Sequence, residues 1–347
     1  MRKLASIRRI DELNPIEGAD KIEVATVGGW KVVCQKGLYN AGDLAVYFEI
    51  DSWIPSTVAP FLTKAGHFPK VFEGVEGERL KTIRLRGQLS QGLLMPLEEA
   101  CKNIESPLIE GLDVTFPLGV LKWEKAIPAQ LAGQAKGNFP SLIPKTDQER
   151  AQNLVEEITG AIEAGVKFEI TEKMEGSSMT VYLMENDDGV QEFGVCSRNL
   201  NLKETAGNTF WDVARADGIE EKMRGAGLTD FAIQGELIGP GVQGNIYGLT
   251  KCEFRIFDMY DIKAGVYLVP EERRLTSMSL GLKHVPTLVA QGSLYDTLGI
   301  TDVAGLLKFA EGESKLAKTE REGVVFKECN GGFTFKAISN AYLLGEK

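Results

Sequence analysis

The chain has 347 residues and a net charge of −10, and hydrophobic and charged residues make up 43% and 25% of it, as in an ordinary globular protein. The length predicts two domains, and the acidity argues against a nucleic-acid-binding protein that works through overall positive charge. No stretch contains the roughly 20 apolar residues of a membrane span, and no apolar core follows the basic N-terminus, which argues against a signal peptide.

The cysteines and histidines exclude several classes of site. The five cysteines never occur in Cys-x-x-Cys spacing, which is typical of reduced thiols in a cytoplasmic protein. His67 and His284 are the only histidines, so Ser-His-Asp, Cys-His and multi-histidine metal sites are nearly excluded. We expect any chemistry to use Lys, Arg, Glu and Asp.

Charge and composition divide the chain. Residues 1–145 carry a net charge of +1 and the remainder −11, and the stretch around the division is rich in Ala, Gly and Pro. We predict an OB-like nucleic-acid-binding domain at 1–130, a linker at 131–147 and a second domain at 148–347. Thr146 and Glu149 form a capping-box pattern that predicts a helix through about Gly160.

Short strands fill the first domain. KIEVATVGGWKVVC predicts a hairpin at Gly28-Gly29, and about five such strands in about 100 residues are typical of a small barrel such as the OB-fold. In KTIRLRG, period-two alternation would place Arg84 and Arg86 on one strand face, where with Lys81 they could hold a phosphate backbone. A solvated face beside several glutamates is the alternative.

Three segments of this domain resemble the tRNA-binding type of OB domain. They are ADKI at 19–22, GDLAVYF at 42–48 and RGQLSQGL at 86–93.

Longer strands alternate with helical patterns in the second part, at 148–164, around 205–225, 270–280 and 302–312. Hairpin-length gaps predict an α+β domain with mainly antiparallel strands. A GxGxxG match at 239–244 precedes a short, β-prone segment. A dinucleotide site needs a helix directly after this motif, so the match does not indicate a Rossmann fold.

Polar residues end or interrupt the apolar strands of this part, as they do where a cleft between sheets presents charge. The segments are Lys173-Met-Glu175-Gly176, Ser197-Arg198, Gly235-Glu236-Leu237, Ile256-Phe257-Asp258, Glu322 to Lys327 and Phe335-Lys336. Lysine is rarely buried without a partner, so two lysines on the closing strands favour a functional site.

These six segments, in this order, resemble the motifs of covalent nucleotidyltransferases, the superfamily of ATP-dependent DNA and RNA ligases and capping guanylyltransferases. GELIGPGVQGNIY at 235–247 resembles the GE-x-x-GPG-x-Q-x-N segment of RNA ligases. An OB-like domain before the transferase resembles the Deinococcus-type (type 5) RNA ligases. The resemblance implies an ATP-dependent RNA ligase that seals a 5′-phosphate end to a 3′-hydroxyl end through a lysyl-AMP intermediate.

The resemblance also implies catalytic roles. Lys173 is implied to be the nucleophile adenylated by ATP, Arg198 to contact the AMP sugar and phosphate and the 5′-phosphate end, and Lys327 and Lys336 to contact phosphate. Glu322 is implied to bind Mg²⁺ or Mn²⁺, both of which prefer hard oxygen ligands. Free lysine has a pKa of about 10.4, and repulsion from the three neighbouring cations would lower the pKa of the nucleophile.

The nucleotide contacts follow in the same way. Glu175 and Gly176 complete the nucleophile motif, and Glu172 is implied to contact the adenine edge. Glu236 is implied to accept hydrogen bonds from the ribose hydroxyls, and Phe257 to stack on adenine. Phe257 as a core residue, and Asp258 as a metal ligand or a turn residue, stay open.

Two positions depart from the type 2 ligases. Their last motif is Lys-x-Lys, whereas Lys336 is followed by Ala337 and Ile338, and their nucleophile motif ends in Asn, where Ser178 stands here. Both departures concern the later sealing steps.

We predict a monomeric cytoplasmic RNA ligase that uses ATP with Mg²⁺ or Mn²⁺. Its predicted partners are RNA 5′-phosphate and 3′-hydroxyl ends, with a nicked duplex as one candidate substrate. A DNA ligase, a GTP-dependent capping enzyme and a non-catalytic RNA-binding relic are the alternatives.

Overall fold

A computed structural model describes residues 2–125, 129–186 and 189–345. The chain forms two compact units. The N-terminal unit comprises Met1–Ala126 with Gln152–Val155, and the C-terminal unit comprises Ile127–Ala151 with Glu156–Lys347. In the described ranges, no helix is long and apolar enough to cross a membrane.

Short antiparallel strands build the N-terminal unit. They are β1 (Ala5–Arg9), β2 (Glu12–Pro15), β3 (Ile22–Val27), β4 (Trp30–Gln35), β5 (Leu44–Phe48), β6 (Ser52–Pro55), β7 (Lys70–Phe72), β8 (Val75–Arg79), β9 (Thr82–Leu85), β10 (Gln88–Gln91), β11 (Leu93–Pro96) and β12 (Leu121–Lys122), with helix α1 (Leu97–Ala100) and a 3₁₀ turn at Pro60–Leu62. Their sheets have the orders β1-β5-β11, β2-β3-β4, β12-β6-β8-β7 and β10-β9. The predicted hairpin at Gly28-Gly29 is confirmed, because Val27 pairs with Trp30 across it.

The strands of the C-terminal unit are longer and form two sheets. Its elements are α2 (Ala129–Gly133), β13 (Ala135–Asn138), β14 (Glu149–Arg150), α3 (Val155–Glu163), β15 (Lys167–Lys173), β16 (Ser177–Glu185), β17 (Gln191–Cys196), β18 (Leu200–Leu202), α4 (Thr209–Ala216), α5 (Ile219–Gly225), β19 (Phe231–Ile238), β20 (Glu253–Asp261), β21 (Val266–Tyr267), α6 (Pro270–Ser279), β22 (Thr287–Ser293), α7 (Val303–Ala310), β23 (Gly323–Glu328), β24 (Thr334–Ile338) and α8 (Asn340–Leu344). One sheet has the order β13-β18-β17-β16-β19-β20-β21 and the other β14-β24-β23-β15-β22.

The seven-stranded sheet has one apolar and one polar face. Met179 and Val181 of β16 and Ile233 of β19 belong to the main core cluster, together with Trp211 of α4 and Met223 of α5. Because side chains alternate along a strand, the neighbouring positions point to the opposite face. That face carries the polar residues Ser178, Thr180, Gln234 and Glu236.

The five-stranded sheet divides in the same way. Phe168, Phe326 and Phe335 share one face, where the Phe326 and Phe335 rings stack with centroids 4.6 Å apart. Strand register puts Lys173, Lys327 and Lys336 on the opposite face. Lys173 pairs with Gly323, and Lys327 lies an even number of residues from Gly323 on the same strand. Lys336 lies an even number of residues from Ile338, which also pairs with Gly323.

Three sequence predictions are wrong in detail. Thr146 and Glu149 do not cap a helix, because Glu149 and Arg150 pair as a parallel strand with β24 and α3 begins at Val155. Arg86 does not share a strand face with Arg84, because Arg86 and Gly87 form the turn between β9 and β10 with φ of 52° and 80°. The linker that its Ala, Gly and Pro content predicts at 131–147, with little periodic structure, contains a strand, because β13 pairs with β18.

Candidate active site

Lys173 and Glu322 meet where two neighbouring strands of the five-stranded sheet end. Lys173 is the last residue of β15, and Glu322 immediately precedes β23, its antiparallel partner. Lys173 Nζ lies 2.6 Å from Glu322 Oε1, and both side chains are only partly exposed. This ion pair fixes the amine at a defined point beside a carboxylate.

Gly176 brings this point close to the polar face of the other sheet. A Cβ at position 176 would collide with the Leu237 carbonyl oxygen and lie 2.8 Å from Glu236 Cγ, so only glycine fits between β15 and β19. The Gly176 backbone N–H also donates a hydrogen bond to the Glu236 carboxylate. The nucleophile motif and Glu236 are therefore held together by backbone contact.

Glu236 has an unusual protonation equilibrium. Burial raises the pKa of its carboxyl to about 8; the Lys173 ammonium opposes this shift, the Glu322 carboxylate adds to it and Arg198 opposes it. The structure thus brings four predicted site residues into one electrostatic neighbourhood, which is typical of functional sites.

Phe257 lies in a β-bulge on β20. Gln234 of β19 pairs with Asp258 whereas the next residue, Gly235, pairs with Ile256, so Phe257 is the extra residue. Bulges redirect a side chain and are frequent beside active sites. The ring packs at the edge of an apolar cluster with Met174 and Tyr247 and lies 5.8 Å from Lys327 Nζ.

Lys327 is buried among charges that sequence patterns did not reveal. Its Nζ lies 2.5 Å from Asp258 Oδ1 and donates to the Phe257 carbonyl oxygen at 2.6 Å. Burial lowers the pKa of Lys327 to about 8, although Asp258 opposes the shift. Asp258 is thus an ion-pair partner of Lys327 and lies within β20, so it is not a turn residue, whereas a role as a metal ligand stays a prediction.

Glu172 and Arg198 already have protein partners. The Glu172 oxygens accept hydrogen bonds from Ser314 Oγ at 2.6 Å and from the Lys315 N–H at 2.8 Å. Alternation directs Glu172 and Lys173 to opposite faces of β15, and contact of Glu172 with adenine stays a prediction. Arg198 Nη2 lies 3.0 Å from Asp147 Oδ2.

Two further contacts come from residues that the motifs did not single out. Tyr247 Oη accepts a hydrogen bond from the Glu175 N–H at 2.7 Å, which supports the turn after Lys173. Lys336 lies on β24 opposite both Val325 and Arg150. Arg150 follows the last prolines of the connecting stretch, and only the three-dimensional pairing shows that it reaches this sheet.

Two family models match parts of the chain. A model described as an OB-fold domain matches residues 4–97, and a model described as RNA ligase matches residues 166–338. A comparison with curated proteins found no match.

Solved structures are similar over the whole chain. A Naegleria gruberi RNA ligase with PPi is 44% identical with a TM-score of 0.88, covering 99% of this chain and 98% of that one. Variants of the same Naegleria gruberi enzyme solved with AMP and Mn (44% identity, TM-score 0.88, coverage 99% and 98%) and with ATP and Mn (43%, 0.88, 98% and 98%) are equally similar. The predicted resemblance is confirmed, and the chain belongs to the RNA ligase family, as an enzyme with an OB-fold domain before its ligase domain.

Proposed function

We propose that this RNA ligase uses ATP to form a lysyl-AMP intermediate on Lys173 and seals RNA ends, with a nicked duplex as its substrate. The observation that carries the proposal is the Lys173–Glu322 ion pair, 2.6 Å long, at the junction of the two sheets of the C-terminal unit. It gives one lysine a fixed position among carboxylates and cations, as a nucleophile requires.

The reaction would proceed in three displacements. The Lys173 ammonium first loses a proton to solvent, and the neutral amine then attacks the α-phosphorus of ATP. A P–N bond forms, the bond to pyrophosphate breaks and a second proton leaves the nitrogen for solvent. An oxygen of the RNA 5′-phosphate then attacks the same phosphorus and releases the lysine. Finally the 3′-hydroxyl attacks the 5′-phosphate, and AMP leaves as the phosphodiester forms. Lys173 must leave its ion pair with Glu322 before the first attack.

The surrounding residues would bind the nucleotide. Phe257 has a ring beside an apolar cluster that suits stacking on adenine, and a Glu236 carboxyl with a pKa of about 8 could exchange hydrogen bonds with ribose hydroxyls as donor or acceptor. Arg198, Lys327 and Lys336 would contact phosphates, where preorganised cations stabilise developing charge.

Glu322 is the residue that we propose to hold Mg²⁺ or Mn²⁺. Among the described residues, no group of three or more His, Cys, Asp or Glu forms a metal cage. That suits Mg²⁺, which is usually bound by one or two carboxylates, several waters and substrate phosphates. The metal would supply charge neutralisation at the phosphates. The Naegleria gruberi structures with ATP and Mn support this requirement.

We propose that the OB domain selects the RNA through the hairpin β9–β10. Lys81, Arg84 and Arg86 are exposed on it, which suits contact with a phosphate backbone. The domain bounds 1–130 and 148–347 and a monomeric state are part of the same proposal. A cytoplasmic location is supported by the five free cysteines.

Labelling tests the function. Incubation with α-labelled ATP and Mn²⁺, followed by denaturing electrophoresis, should give a labelled protein band, and RNA with a 5′-phosphate nick should then be sealed. A band only with labelled GTP would indicate a capping enzyme, sealing only of DNA would indicate a DNA ligase, and no band with either nucleotide would indicate an RNA-binding relic.

A further inference from the structure

A buried ion network lies behind Lys327. Arg273 of α6 is 1% exposed, and its Nη2 forms an ion pair with the completely buried Glu169 of β15. Arg274 pairs with the other oxygen of Glu169 from a partly exposed position. Lys327 and Asp258 form the second pair of this network.

Binding of a phosphate by Lys327 would require its ammonium to leave its present protein partners. In the described structure its ammonium is held by Asp258 Oδ1 and the Phe257 carbonyl oxygen, at 2.5 and 2.6 Å. Turning this ammonium towards a nucleotide would leave the buried Asp258 carboxylate without its cation. A buried charge that loses its partner is strongly unfavourable. Some other cation must compensate Asp258 in the nucleotide-bound state.

Arg273 has one donor that fits this need. Its Nη1 is buried and makes no hydrogen bond to any described residue, and it lies 3.6 Å from Asp258 Oδ1. That separation is too long for a hydrogen bond, but a shift of less than an ångström would close it. An unsatisfied buried donor is rare and calls for an explanation.

His284 keeps Arg273 aimed in this direction. Arg273 Nε lies 3.1 Å from His284 Nε2, and His284 Nδ1 lies 2.7 Å from the Val285 carbonyl oxygen. A neutral imidazole with its proton on Nδ1 satisfies both contacts. Burial and the adjacent Arg273 lower the pKa of His284 to about 3, which agrees with that neutral form.

We propose that Arg273 is a positioning residue that becomes the ion-pair partner of Asp258 when the Lys327 ammonium turns to the nucleotide phosphate. This inference rests on the proposed function, since it assumes that Lys327 contacts ATP. Arg273 would exchange a 3.6 Å approach for a hydrogen-bonded ion pair, and Lys327 would become free to bind phosphate without leaving a buried charge uncompensated.

A double-mutant cycle on the full-length protein tests this exchange. Arg273→Gln should lower the single-turnover rate of adenylation from ATP and Mn²⁺ about tenfold more than Arg274→Gln, which removes the other cation from Glu169 but has no described contact with Asp258. If Arg273 acts through Asp258, adding Asp258→Asn should remove most of the Arg273→Gln defect, and Arg273→Gln/Asp258→Asn should lie within about threefold of Asp258→Asn alone. Additive defects, or equal effects of Arg273→Gln and Arg274→Gln, would overturn the inference.

Further measurements distinguish misfolding of the Arg273→Gln variant, failure of the proposed function and failure of the inference about Arg273. If Arg273→Gln does not fold, as judged by its melting temperature, the same cycle with Arg273→Lys decides, because lysine keeps a cation but cannot contact Glu169 and Asp258 together; additivity there also overturns the inference. Wild-type protein that incorporates no label from ATP would refute the proposed function. Labelled wild type with an additive cycle refutes only the role of Arg273.

Discussion

The two units differ in how many charged side chains they bury. Among the described residues, the buried charged side chain of the N-terminal unit is Glu49, whereas the C-terminal unit buries Arg150, Glu169, Glu172, Asp258, Arg273 and Lys327. Glu49 is compensated locally by Arg2 and by Asn153 Nδ2, and the barrel around it has an ordinary apolar core. Four of these six residues form two ion pairs, Glu169 with Arg273 and Asp258 with Lys327, and buried ion pairs of this kind contribute little net stability.

This difference predicts where neutral substitutions matter most. Removing charge from the C-terminal cleft should change the chemistry, and removing charge from the barrel should change only the handling of RNA.

The largest effect is expected for Glu322→Gln. It removes both the partner that holds Lys173 and the proposed metal carboxylate, so the rate of adenylation should fall by at least about 100-fold. Glu311→Gln, an exposed glutamate of the same segment, is the control and should label at the wild-type rate. Equal labelling of the two variants in a quench time course would contradict the role of Glu322.

Gly176→Ala should follow. The added Cβ would collide with the Leu237 carbonyl oxygen, and overpacking of this kind costs about 1–3 kcal/mol of the free energy of unfolding and displaces Lys173 from Glu236. We expect lower stability in urea and a labelling rate reduced about tenfold or more.

Gly160→Ala is the matched control for this substitution. A Cβ at position 160 of α3 meets nothing within 4 Å, so this variant should be as stable as the wild type or slightly more stable. If both alanine variants behave alike, the close approach at Gly176 is not what joins the two sheets.

Glu236→Gln should change how stability depends on pH. Between pH about 4.5 and 8 the folded Glu236 keeps a proton that the unfolded chain has lost, so wild-type stability falls as the pH rises through this window. Glutamine cannot ionise, so the variant should gain relative to wild type by up to about 1.4 kcal/mol per pH unit there. Denaturant unfolding at pH 5 and 8.5 measures this, and Glu221→Gln, at an exposed position, should show no such gain.

The barrel should give the smallest effect on chemistry. Arg84→Ala/Arg86→Ala should leave labelling by ATP unchanged while sealing of nicked RNA falls about tenfold and loses part of its salt dependence. Lys64→Ala/Lys102→Ala removes the same charge from other exposed positions and should seal normally. A loss of labelling in the hairpin variant, or equal sealing by both, would contradict a division of labour between the units.

Much of the fold followed from periodicity and spacing. The hairpin at Gly28-Gly29 and the helices α4 to α7 depend on local patterns, which a sequence displays directly. Strand alternation with antiparallel pairing also suffices to place Lys173, Lys327 and Lys336 on one face once the register is known.

Other features depend on contacts between distant residues. The pairing of β14 with β24 replaced a helix start that Thr146 and Glu149 had indicated, because tertiary pairing overrides a capping pattern. The bulge at Phe257 and the approach of Arg273 to Asp258 have no local signal, since each is fixed by a neighbouring strand or helix.

The proposal that Lys173 carries the AMP is tested by comparing wild type with two alanine variants. Wild type, Lys173→Ala and Lys167→Ala would be incubated with α-labelled ATP and Mn²⁺ and separated by denaturing electrophoresis. Lys167 is an exposed lysine at the opposite end of β15, so its loss controls for removing a lysine from this strand. We expect a labelled band for wild type and Lys167→Ala and none for Lys173→Ala. A band of wild-type intensity in Lys173→Ala would show that the nucleotide is carried elsewhere and would contradict adenylation of Lys173.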